Sequence, residues 1–159
     1  MPMKKPALLI LFLLSGTWCF AQKNLLSYED LKYLLTNSLP KTDTFMMAKG
    51  YQVKIKNTKS NNRVYSSLSG DSHVDISVRQ DGKRLLIEIE TNVLSQYDLI
   101  HNSIAQYVDK NSTTADVQTY VVKDLGSIYI TVTDTSPYDP LKREYDIHIV
   151  PDKRITAYN

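Results

Sequence analysis

Acidic residues and histidines recur at alternate positions in two segments of this chain. They are His73, Asp75, Glu88 and Glu90 in one segment, and Asp146 and His148 in the other. Alternate side chains of a β-strand point to the same face, so each segment would place carboxylates beside an imidazole. The group of His73, Asp75, Glu88 and Glu90 could bind a divalent cation through oxygen and nitrogen ligands, or contact a basic protein surface. The spacing matches no known metal-binding motif, so a solvated sheet face is the simpler interpretation and no metal is expected.

The second segment also suggests a catalytic alternative. Asp146 and His148 would share one face of a strand, where the carboxylate could orient the imidazole as a general base. However, the chain contains no nucleophile elbow, phosphate-binding loop, dinucleotide fingerprint or zinc-protease helix motif. The sequence therefore favours a non-enzymatic protein without a cofactor. A small hydrolase that uses Asp146 and His148 is the alternative.

The first segment has the strongest strand pattern, two alternating runs around Asp81-Gly82 within residues 73–91. Asp-Gly favours a two-residue type I′ turn and therefore a β-hairpin. Three apolar pairs would then face one another across the hairpin. They are Val78 with Leu85, Ile76 with Ile87, and Val74 with Ile89. The matched pairs predict that this side of the hairpin is buried.

The same register defines the opposite, charged side of the hairpin. It places Asp75 opposite Glu88, and Arg79 opposite Arg84. Like charges directly opposite each other lower stability, so a face that keeps them is a candidate for binding a partner. The expected contact residues are His73, Asp75, Arg79, Arg84, Glu88 and Glu90 on the hairpin, and Tyr138 in a later loop.

Two helices are predicted by a repeated L-S-x-x-D-L pattern at residues 26–31 and 94–99. In each copy the serine would cap the helix, and the aspartate three residues later would reach back to it. Apolar residues at helical spacing extend the two predictions to about Ser38 and Asn111. The repeat leaves open whether the protein is a duplicated helix-plus-strands unit, with halves 24–92 and 93–159.

The rest of the chain predicts strands, apart from a short helix over residues 42–49 that ends at Gly50. Alternating apolar residues indicate strands at 51–56, 63–68, 117–124, 127–134 and 144–150. Short connections between strands are typical of an antiparallel sheet. The prediction is a single α+β domain over residues 22–159, with six to seven strands. Two main helices and the short one would cover one face of the sheet and leave the other free.

The N-terminus has the layout of a secretory signal peptide over residues 1–21, with Lys4 and Lys5 before a short apolar run and Ala21 at the cut. The chain has 19 basic and 17 acidic residues, so loss of the two lysines would leave no net charge. Without a basic excess or stripe, nucleic-acid binding is not expected. Cys19, the only cysteine, would also be removed, which leaves no disulfide or thiol chemistry. No transmembrane segment is expected after cleavage. We expect an exported protein, periplasmic or secreted.

Several short stretches resemble small exported proteins of Bacteroidota that have no assigned activity. They are Cys19-Phe20-Ala21-Gln22, Leu31-Lys32-Tyr33-Leu34-Leu35, Lys49-Gly50-Tyr51, and the 87–91 strand followed by a helix. The helix-plus-sheet layout also looks like periplasmic inhibitor and assembly-factor folds, which implies a protein-binding role. The leading hypothesis is therefore an inhibitor-like or immunity-like module that binds another envelope or secreted protein. A structural component of an envelope assembly is a further alternative.

Overall fold

The described residues form a single α+β domain with three α-helices and one seven-stranded antiparallel sheet. The structure is a computed structural model that describes residues 24–57, 61–135, 138 and 142–152. The expected signal peptide over residues 1–21 lies outside these residues. Within the described part of the chain, no helix has both the length and the apolar character needed to cross a membrane.

The first helix begins where the sequence predicted it, whereas the second does not. Helix α1 spans Tyr28–Thr36, and its expected capping box is present. The Asp30 amide donates to Ser27 Oγ (3.3 Å), and the Ser27 amide donates to Asp30 Oδ2 (2.7 Å). Helix α2 spans Leu39–Ala48 and starts earlier than expected. Its proline lies in the first turn, where a fixed φ and a missing amide hydrogen are tolerated.

The expected second capping box is absent. Helix α3 spans Leu94–Ile104 with Val93 at its N-cap, and a 3₁₀ turn over Ala105–Tyr107 ends it before Asn111. The residue after Ser95 explains the difference, because buried Gln96 binds the backbone of Leu26. The Leu26 amide donates to Gln96 Oε1 (2.8 Å), and Gln96 Nε2 donates to the Leu26 carbonyl (2.9 Å). Tertiary contacts therefore set the start of α3, and the two copies of the repeat have different local structures.

This difference predicts unequal effects of two serine substitutions. Ser27→Ala should lower the free energy of unfolding by about 1 kcal/mol, because the amide of Asp30 loses its acceptor. Ser95→Ala should change it by less than about 0.5 kcal/mol, since Ser95 is exposed and is not the capping residue. Urea denaturation of both variants beside the parent measures the contrast. Equal losses would contradict the assigned caps.

The seven strands form two antiparallel meanders that meet in the middle of the sheet. Their bounds are β1 Gln52–Asn57, β2 Asn62–Ser69, β3 Ser72–Asp81, β4 Arg84–Thr91, β5 Val117–Val122, β6 Gly126–Asp134 and β7 Arg143–Val150. The order across the sheet is β1-β2-β3-β4-β7-β6-β5. The last strand of the first meander, β4, therefore pairs with the last strand of the second, β7.

The register predicted for the β3–β4 hairpin is wrong by two residues. Asp81 pairs with Arg84, so the turn residues are Gly82 and Lys83 rather than Asp81 and Gly82. The positive φ is confined to Gly82 (61°), which is the pattern of a type II′ turn with glycine first. Arg84 Nη2 lies 3.5 Å from Asp81 Oδ2 at the end of the ladder. A shift of two keeps every side chain on its predicted face but changes every cross-strand partner.

The burial pattern confirms which side of the hairpin is buried. Val74, Ile76 and Val78 of β3 alternate with more exposed residues, as do Leu85, Ile87 and Ile89 of β4. The same hydrophobic cluster includes apolar residues of all three helices. These are Leu31, Leu34, Leu35, Leu39, Met46, Ile100 and Ile104. Helices and sheet therefore share one core.

A charged group is buried at the edge of this core. The Asp43 carboxylate of α2 accepts a hydrogen bond from the Tyr65 hydroxyl (2.7 Å) and lies 3.3 Å from Arg63 Nε. Lys56 Nζ of β1 also lies 3.3 Å from this carboxylate. Arg63 and Asp43 are only 6% and 8% exposed. The group connects α2 to the first two strands.

The outer edges of the two end strands, β1 and β5, differ in how their regular hydrogen bonding is interrupted or satisfied. A register shift between Val53 and Ile55 interrupts β1, and Lys54 lies at this bulge. At the other edge, the segment after α3 runs along β5. The Asp109 amide donates to the Thr119 carbonyl (2.8 Å), and the Thr119 amide donates to Thr113 Oγ1 (3.1 Å). Backbone groups at the outer edge of β5 are thus bonded within the chain.

Candidate binding face

The strand pairing places most charged and histidine side chains of three central strands on one side of the sheet. Directly paired residues of an antiparallel sheet lie on the same face. We call this side of β3, β4 and β7 the polar face. Its members are His73, Asp75, Ser77, Arg79, Arg84, Leu86, Glu88, Glu90, Glu144, Asp146 and His148.

The structure brings together most of the residues expected to contact a partner. His73, Asp75, Arg79, Arg84, Glu88 and Glu90 all belong to the polar face. Tyr138 lies in the connection between β6 and β7 and is 96% exposed. Asp146 and His148, which the sequence placed in a separate group, lie directly opposite Glu90 and Glu88. The two groups of acidic and histidine residues therefore form a single cluster on adjacent strands.

The observed register changes the charge pairs that were predicted. Arg79 lies opposite Leu86, and Arg84 lies opposite Asp81, so the expected repulsion between two arginines is absent. Asp75 lies opposite Glu90 rather than Glu88. Because Glu90 is also opposite Asp146, three carboxylates form a row across β3, β4 and β7. The opposed acidic residues predicted from the sequence are therefore at a different pair of positions, and the row extends over one more strand.

One end of this row has a positively charged partner, because Lys54 Nζ lies 3.1 Å from Asp75 Oδ1. Burial raises the pKa of Asp75, but hydrogen bonds and the Lys54 charge lower it by more, so its pKa is below the ordinary value. Outside the row, His73 Nε2 lies 3.4 Å from Glu144 Oε2. Lys54 therefore balances the charge at the Asp75 end of the row.

The centre of the face is an imidazole between two carboxylates. His148 Nε2 lies 2.9 Å from Asp146 Oδ2 and 3.5 Å from Glu88 Oε1. The second oxygen of Asp146, Oδ1, is buried and has no hydrogen-bond partner among the described residues. Such a centre can accept hydrogen bonds from a cationic group, or donate one from the imidazole.

Two shallow hollows flank this centre. The larger, about 460 Å³, is lined by Arg79, Leu86, Glu88 and His148 with residues of β2 and β7. The smaller, about 220 Å³, is lined by Asp75, Glu88 and Glu90 with residues of β2 and β3. Ser77 and Glu88 line both hollows. Each is large enough to take a side chain of another protein.

Exposed apolar side chains lie on the same side of the sheet, around the polar residues. The register assigns to this side Ile55, Leu68, Val121, Tyr129 and Val150. Leu68 is 68% exposed, and Val121 is 57% exposed. This side of the sheet therefore presents both charged and apolar side chains to the solvent.

Comparison with protein families, curated proteins and solved structures found no match for this chain.

Proposed function

We propose that the protein is an exported, non-enzymatic binding module that contacts another envelope or secreted protein through the polar face. In this proposal the three helices cover the opposite face of the sheet. The buried residues of helices and strands support the arrangement, since they belong to one hydrophobic cluster. Export is inferred from the signal-peptide pattern of residues 1–21.

The observation that carries the proposal is the row of three carboxylates, Asp75, Glu90 and Asp146, on adjacent strands. Like charges on directly opposed residues lower stability, and these three lie on the central strands of the sheet. A partner that supplies positive charge would remove the repulsion on binding. We therefore propose that the contacting surface of the partner is basic, with lysine or arginine side chains in the hollows beside Glu88.

Photo-crosslinking tests this proposal directly. A photoreactive amino acid at Ser77, between the two hollows, should crosslink the partner in intact cells. The same amino acid at Thr36, exposed at the end of α1, serves as the control. The full chain, with its own N-terminal segment, should be recovered from the periplasm or medium. Crosslinks from position 36 only, or a chain that stays in the cytoplasm, would contradict the proposal.

A charge reversal in the row gives a second test. Glu90→Lys would place a positive charge between Asp75 and Asp146, so that two repulsive pairs become attractive. The free protein should gain up to about 1 kcal/mol in free energy of unfolding. The same variant should bind the crosslinked partner more weakly, because a basic surface now meets a lysine.

The control for this variant is Asp116→Lys, which makes the same change of net charge at an exposed position before β5. Thermal denaturation and pull-down of the identified partner are measured for both. A polar face that only contacts water would show equal partner binding by the two variants. A loss of stability in Glu90→Lys would show that the row is not repulsive.

A further inference from the structure

We propose that Glu88, Asp146 and His148 form a binding site for a divalent zinc ion at the centre of the polar face. One ligand atom from each residue lies within 4.8 Å of the other two. The inference does not depend on the proposed protein partner, because it concerns the affinity of the free chain for a metal.

The distances resemble those between ligands of a tetrahedral zinc ion. Bonds of about 2.0–2.1 Å to nitrogen and oxygen place neighbouring ligand atoms about 3.3 Å apart. His148 Nε2 lies 2.9 Å from Asp146 Oδ2 and 3.5 Å from Glu88 Oε1, on either side of that value. A zinc ion would take the place of the hydrogen bond between His148 Nε2 and Asp146 Oδ2.

The donor set favours zinc over magnesium or calcium. One neutral imidazole nitrogen and two carboxylate oxygens suit a borderline metal, whereas hard cations prefer oxygen ligands alone. Two carboxylates balance the charge of the ion. The buried Asp146 Oδ1, which has no hydrogen-bond partner among the described residues, leaves an unused acceptor on one of the ligands. The fourth position would be open to water or to a side chain of another protein.

The strand pairing explains why the three ligands are held together. Glu88 and His148 are direct partners on β4 and β7, and Asp146 is two residues from His148 on the same strand. The backbone ladder therefore fixes the positions of their Cβ atoms before any metal binds. A site on strands loses less conformational freedom on binding than one on loops.

Calorimetric titration of the metal-free protein with zinc chloride at pH 7.5 tests the proposal. The parent should bind one zinc ion with saturable heat, and its melting temperature should rise with zinc concentration. Glu88→Gln and His148→Gln should each weaken binding at least about 10-fold. Both positions are partly exposed, so the metal-free variants should keep the far-UV circular dichroism of the parent.

His73→Gln is the matched control, because His73 is on the same face but, among the described residues, only the Glu144 carboxylate forms a close pair with its imidazole, at 3.4 Å. This variant should bind zinc like the parent. Cobalt(II) should give a visible absorption band in the parent and the His73 variant but not in the His148 variant. Three outcomes would overturn the proposal: no zinc binding by the parent, equal loss in both histidine variants, or magnesium binding as tight as zinc binding.

Discussion

Ile76→Ala and Ile87→Ala should each lower the free energy of unfolding by about 2–4 kcal/mol. Ile76 is fully buried and Ile87 is 2% exposed, so each truncation removes apolar contacts and leaves a cavity. The two residues lie on adjacent strands in the middle of the sheet. The core around them includes helices and strands from both meanders, which limits how far it can collapse into the space.

Leu86→Ala is the control for this prediction. Leu86 is next to Ile87 on β4 but faces the other way and lines the larger hollow. Its truncation should cost less than about 1 kcal/mol, since its side chain is already partly in water. Chemical denaturation of the three variants gives the comparison. If Leu86→Ala is as harmful as Ile87→Ala, the assignment of faces in β4 is wrong.

Asp43→Ala should cost about 3–5 kcal/mol, a loss typical of breaking one side of a buried ion pair. The substitution would remove the carboxylate that faces Arg63, Tyr65 and Lys56. Tyr65→Phe should cost less, about 1.5–3 kcal/mol, because it deletes a single hydrogen bond to a charged acceptor. Asp116→Ala, at an exposed site, should be nearly neutral and serves as the control.

The same group predicts a pH dependence. Burial raises the pKa of Asp43, but the Tyr65 hydroxyl and the charges of Lys56 and Arg63 lower it by more, so its pKa is below the ordinary value of 3.8. A carboxyl with a depressed folded-state pKa contributes stability above its unfolded pKa and loses it as the pH falls through the folded pKa. The stability gap between the parent and Asp43→Asn should be constant from about pH 5 to 7.

This gap should then narrow below about pH 4, because Asp43 becomes protonated first in the unfolded parent and then, at lower pH, in the folded parent. Urea denaturation of both proteins over this pH range measures it. A gap that persists unchanged to pH 2 would show that Asp43 acts through packing and not through its charge.

Local signals predicted most of the fold. The alternation of apolar and polar residues in segments such as 144–150 predicted the strands. The capping box at Ser27 and Asp30 predicted the start of α1. Such features depend on residues a few positions apart, so a single sequence contains them. The hairpin was predicted with the correct faces but the wrong partners. Gly82 permits either of two turns, and a shift of two residues leaves the apolar pattern unchanged.

The sequence predicted the residues of the candidate site as two separate groups. Residues on β3 and β4 were placed on one face, as were Asp146 and His148, but nothing local indicates that β4 pairs with β7. That pairing joins Glu88 to His148 across 60 positions and depends on how the whole sheet is ordered. For the same reason the sequence missed the buried group around Asp43, which combines α2 with β1 and β2.

The edges of the sheet bear on self-association. An outer strand with free backbone groups can recruit a strand from another molecule and begin aggregation. Here the segment of residues 108–114 already occupies the outer side of β5. On the other side, the bulge and the charge of Lys54 interrupt the regular edge of β1. Both edges thus disfavour intermolecular sheet extension, which matters for a domain that, if exported, must remain monodisperse beyond the reach of cytoplasmic chaperones.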